Sequence, residues 1–91
     1  MKRSPLVSVV LPCFNAAATL RAAIQSIRQQ TFPDWELIIV DDGSTDASLE
    51  IAEEAASADG RVRVISLAHV GIVEALRRGC EAALGPLIAR M

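Results

Sequence analysis

An α/β fold, βαβαβαβ with a mainly parallel twisted sheet and helices on both faces, is what this 91-residue sequence predicts. Three observations carry the prediction. Short β-branched apolar runs recur at even intervals. The segments between them place apolar residues at helical spacing. The second run, Leu37-Ile38-Ile39-Val40, delivers two adjacent carboxylates, Asp41 and Asp42, to a Gly43-Ser44 turn ahead of a helix-like segment. Acids in that position lie beyond the carboxyl ends of the strands, where open α/β sheets bind ligands and where an acid commonly accepts hydrogen bonds from a ribose or a base.

The elements follow in order. Val7 to Leu11 is an apolar run closed by Pro12 and reads as a buried strand. Leu20, Ala23, Ile24 and Ile27 recur at helical spacing before Phe32-Pro33-Asp34 breaks the pattern. Leu37 to Val40 is the second strand, after which Ser44 is expected to cap a helix with Asp46 in its first turn. Leu49, Ala52 and Ala56 form that helix's apolar positions, and Asp59-Gly60 ends it. Val62 to Ile65 is the third strand. Ile72, Ala75, Leu76, Gly79 and Ala83 follow the helical period, and Gly85-Pro86 stops it before Leu87-Ile88-Ala89 begins a fourth strand. Alternation of this kind calls for right-handed crossovers and a Rossmann-like sheet.

Composition narrows the function. Hydrophobic residues make up 52% and charged residues 22%, which suits one packed domain. Aromatics are only 3%, so Ala, Val, Ile and Leu must build the core. Nine basic against eleven acidic residues give a net charge of −2, without the basic stripe that nucleic acid demands. Cys13 and Cys80 lack metal-site or redox spacing and read as two reduced thiols, which fits a cytoplasmic location. No stretch approaches the ~20 apolar residues of a membrane span, and the run after Met1-Lys2-Arg3-Ser4-Pro5 is too short for a signal segment. Any membrane association is left to parts not present here. The first βα loop, Pro12-Cys13-Phe14-Asn15-Ala16, carries neither GxGxxG nor GxxxxGK[ST], so dinucleotide and phosphate-loop readings fail. A phospho-acceptor domain fails as well, since the only lysine is Lys2.

The remaining pattern resembles the family 2 glycosyltransferases, which have the GT-A fold. Val7 to Asn15 looks like the family's opening strand and loop, Ser26 to Phe32 like its helix end, and Glu36 to Asp46 like its strand, DDGS turn and following Asp. Gly71, Ala75, Gly79, Ala83, Gly85 and Ile88 fall at the spacing of its third helix and fourth strand. The resemblance implies that residues 1–91 are the N-terminal, nucleotide-sugar-binding part of a transferase acting with inversion. Its donor would be a UDP-sugar. Pro12, Cys13, Phe14, Asn15, Asp41, Asp42 and Ser44 would form the nucleotide site, with Pro12 and Phe14 against the nucleoside. Asp42 would accept from the base, and Asp41 would support the same pocket or the ribose. Turn and capping chemistry is the plainer alternative for the acid pair.

The family also carries a DxD-type motif directly after its fourth strand, where it holds a divalent cation, Mn or Mg, against the donor diphosphate. The chain is expected to be truncated before that motif, so that residues 1–91 supply neither metal ligand nor catalytic residue. Asp41 and Asp42 are no substitute, because neighbours on an extended segment point to opposite faces. His69 reads as a surface or cap residue rather than a general base, and Arg77 and Arg78 as solvated helix positions. Arg77 stands where the family usually has Asn. The fourth strand should leave an open sheet edge, through which a homo-oligomer is expected. A non-catalytic nucleotide-binding or assembly module is the alternative to the enzyme.

Overall fold

The computed structural model describes residues 5–30, 33–85 and 87–90. The expectations placed on residues 1–4, Thr31, Phe32, Pro86 and Met91 lie outside those residues. Elements alternate as β1 (Val7–Cys13), α1 (Ala17–Arg28), β2 (Trp35–Asp42), α2 (Ser48–Ala58), β3 (Val62–Leu67), α3 (Ile72–Ala82) and β4 (Leu87–Arg90). All pairings are parallel, and the sheet order is β3-β2-β1-β4. The chain steps outward from β1 to β3, then returns to the free side of β1. That return puts α3 on the face opposite α1 and α2, the doubly wound arrangement the sequence predicts.

The two faces divide by strand parity. Val9, Leu11, Leu37, Ile39 and Val62 meet Leu20, Ile24 and Ile27 of α1 and Ile51, Ala52 and Ala55 of α2. Val10, Ile38 and Val40 point the other way, onto Ala75 of α3. All eight residues of β2 are buried, as befits a central parallel strand. On α3 a side chain at Gly79 would collide with Val10, so the missing Cβ lets this helix lie close to the sheet.

The strands run further than the apolar runs suggest. β1 continues through Pro12 to Cys13, with Pro12 opposite Val40 and Cys13 opposite Asp41 in the register with β2. β2 includes both acids as its last two residues. The larger correction concerns α2. Ser44 does not cap it, and Asp46 precedes its first turn: the helix starts at Ser48 behind Ala47. Residues 44–47 instead form a turn whose polar groups bond to the β1–α1 loop.

At the opposite end of the strands lies a buried polar knot. Glu36 accepts from Ser8 Oγ at 2.6 Å, the Leu84 amide at 2.7 Å and Arg63 Nη2 at 2.7 Å. Arg63 also donates to the Ala82 carbonyl, and Gly85 N–H to Ser8 Oγ. The knot ties the α3–β4 connection to β1 and β2. Among the described residues no helix is long and apolar enough to cross a membrane.

Candidate functional site

The carboxyl ends of β1 and β2 lie side by side, with Cys13 opposite Asp41 in the register. Parallel pairing and similar strand lengths therefore bring the first two βα loops together. A lattice of polar bonds fastens them. Asn15 N–H donates to Ser44 Oγ at 2.9 Å, and Asn15 Oδ1 accepts from Thr45 N at 2.8 Å and Asp46 N at 3.3 Å. Ala16 N–H donates to Ser48 Oγ and Ala17 N–H to Asp46 Oδ2, so acceptors from the second loop and the start of α2 satisfy the amides at the start of α1. Asp46 Oδ1 accepts from Ser48 N at the start of α2. These bonds, those of Ser48 foremost, hold the Asp46 carboxyl below the usual carboxylate range. Asn15 adopts a φ of +50°, which Asn tolerates better than most residues.

The adjacent acids face opposite sides of β2. Asp41 is almost fully buried on the α1–α2 side, where it accepts from the Ser44 amide at 3.2 Å and the Cys13 thiol at 3.5 Å. Burial first, then the charge and hydrogen bond of Asp41, push the Cys13 thiol up to about 12. Cys13 is therefore an S–H donor in place and not a nucleophile.

Asp42 turns toward α3. Its Oδ1 accepts from Val70 N–H at 2.7 Å and its Oδ2 from Gly71 N–H at 2.9 Å, so it clamps the loop that opens α3. His69 sits in the same loop at φ +62°. Its Nδ1 lies 3.1 Å from the Asp42 carbonyl oxygen and 3.5 Å from Oδ2, and its ring is 4.4 Å from that of Phe14. Gly43 makes this approach possible. It has a φ of +75°, and a Cβ there would stand 2.8 Å from His69 N.

Together these groups enclose a cavity of about 220 Å³ lined by Pro12, Cys13, Phe14, Asp42, His69, Gly71, Ile72 and Ala75. Its wall is apolar, with the Asp42 carboxylate as its anionic acceptor. Of the residues singled out in the sequence, Pro12, Cys13, Phe14 and Asp42 line it; Asn15, Asp41 and Ser44 do not, and instead brace its loops. Sequence reasoning missed His69 as a wall residue. The available signal was positional, since His69 follows β3 at the same sheet edge as the first two loops. Among the described residues no three His, Cys, Asp or Glu side chains converge as a cation site. Asp41 and Asp42 do not fit one, because their carboxylates lie on opposite faces and already accept from backbone amides.

The fold and the site define a doubly wound α/β protein with a largely apolar pocket, carrying one carboxylate, at the carboxyl edge of its sheet. The family described as Glycosyl transferase family 2 matches residues 8–91, and the chain belongs to it. It is 43% identical over 84 residues to the glycosyltransferase EpsJ of Bacillus subtilis (strain 168), across 92% of this chain and 24% of EpsJ. Among solved structures, S. aureus TarS 1–349 superposes with a TM-score of 0.85 at 26% identity, over 93% of this chain and 26% of that one. Glucosyl-3-phosphoglycerate synthase from Mycobacterium tuberculosis, in complex with Mn²⁺, UDP and glucosyl-3-phosphoglycerate, superposes with a TM-score of 0.74 at 34% identity. There the match covers 96% of this chain and 33% of the synthase. The chain thus spans a quarter to a third of the length of these proteins.

Proposed function

We propose that this chain is the nucleotide-recognition part of a glycosyltransferase that passes a sugar from a nucleoside diphosphate donor to an acceptor, with the inversion that the family resemblance implies. The observation that carries the reading is the Asp42 carboxylate set in an apolar pocket at the carboxyl edge of the sheet. Ligand pockets for drug-sized molecules run to roughly 300–1,000 Å³, so a cavity of about 220 Å³ suits a base and not a whole nucleotide-sugar. Pro12 and Phe14 supply apolar contact. Asp42 accepts the base's N–H on lone pairs left over from its two amide bonds. Asp41, Asn15 and Ser44 act from behind, holding the two loops in register.

Uridine is the favoured nucleoside, because the 34%-identical synthase binds UDP. The divalent cation and the catalytic base that the family resemblance implies are assigned to residues outside this pocket, and a cation fits the reading because the synthase complex holds Mn²⁺ together with UDP. The coverage of a quarter to a third of related proteins supports this division. β4 is an edge strand of the described sheet, and Ile88 on it is half exposed, which favours self-association through that edge. Calorimetry with UDP tests the site. The wild type should bind weakly and Asp42→Ala should lose most of the affinity; equal affinity in both refutes the assignment.

A further inference from the structure

We propose that His69 is the residue that positions the nucleobase, a role that rests on reading the pocket as a nucleoside site. A carbonyl oxygen only accepts, so the 3.1 Å contact with the Asp42 carbonyl fixes the ring proton on Nδ1. Nε2 is then the polar atom of the ring left for a ligand, and among the described residues it has no hydrogen-bond partner. The ring forms part of the pocket wall together with Phe14.

Three further features hold this ring in place. Its backbone is kept at φ +62°, a conformation that costs a non-glycine residue and that clusters at functional sites. The next two amides, of Val70 and Gly71, are clamped by the same Asp42 carboxylate that is assigned to the base. Gly43 clears the space against which the His69 backbone packs. The 4.4 Å separation of the Phe14 and His69 rings is too small for a base to slide between them, since that needs two stacking distances of about 3.5 Å. The base therefore lies against the pair, with its polar edge between Asp42 and Nε2.

His69 is the only histidine, so imidazole ¹⁵N spectra of the histidine-labelled chain contain one ring. Addition of UDP to saturation should shift the Nε2 resonance. His69→Asn tolerates the left-handed backbone and keeps a side-chain N–H near the Asp42 carbonyl while removing the ring. It should bind UDP about tenfold more weakly with a melting temperature close to that of the wild type. If Nε2 does not move at saturation, or if His69→Asn binds like the wild type while Asp42→Ala does not, the positioning role is wrong and the pocket reading survives. Absence of UDP binding by the wild type overturns both. Should His69→Asn fail to fold, the Nε2 shift in the wild type decides alone.

Discussion

Replacing Glu36 by Gln should loosen the support behind the pocket by an amount that the knot allows to be worked out. The carboxylate is 5% exposed and serves two sets of donors: Ser8 Oγ–H and Leu84 N–H on Oε2, and the Arg63 guanidinium on Oε1. The Gln amide must turn its NH₂ toward one set. Facing Leu84 would orphan a buried amide, so it faces Arg63. The two remaining bonds then lose charge assistance, about 1 kcal/mol each. The Arg63 pair is lost too, but its guanidinium end is 42% exposed and solvent-screened, so that loss is at most about 1 kcal/mol. The total is about 2–3 kcal/mol, or a fall in melting temperature of about 8–24 °C for a chain of this size. Urea unfolding followed by fluorescence of Trp35, the only tryptophan and a buried one, measures it. Burial works against ionisation of Glu36, but the hydrogen bonds of Ser8, Leu84 and Arg63 outweigh it and leave the carboxyl below its ordinary 4.5. The stabilisation is therefore complete above about pH 4.5 and is lost as pH falls through the lowered native value. Gln cannot titrate, so the wild-type and variant curves should converge in acid. A difference under about 1 kcal/mol at neutral pH, or parallel pH curves, would show that the Glu36 carboxylate does not hold the knot together.

Gly43→Ala should cost about 2–3 kcal/mol in urea unfolding, because it combines a positive φ with a collision against the His69 backbone; an unchanged midpoint contradicts this. In the native protein at pH 8, iodoacetamide should label exposed Cys80 and leave Cys13 unmodified, as read by mass spectrometry, since the Cys13 thiol is pushed up to about 12; two labels on folded protein would count against the Asp41 contact. Light scattering across a dilution series should show mass above the monomer at high concentration, and Lys in place of Ile88 on the β4 edge should reduce it; a monomer throughout removes the proposed self-association.

The sheet was legible because its signals are local. Apolar runs such as Leu37 to Val40 mark buried strands by composition, and α3 shows its inner face through Ala75, Leu76 and Gly79. The opposite directions of Asp41 and Asp42 follow from strand geometry alone. The start of α2 was not legible, since Ser44 satisfies every local rule for a cap. What displaces it is Asn15, far away in sequence, which draws Ser44 and Thr45 into the inter-loop lattice. His69 was obscure for the same reason. Its ring reaches the pocket through a left-handed backbone that only Gly43 permits and an Asp42 clamp that no local spacing encodes.

Amide chemical-shift mapping during titration with UDP shows whether a nucleoside occupies the pocket on the α3 side of Asp42. Shifts should concentrate at Cys13, Phe14, Asp42, Gly43 and residues 69–75, and should be absent from the groove between α1 and α2 lined by Arg21, Gln25, Arg28 and Glu54. Shifts confined to that groove, or spread evenly over the surface, would contradict the account.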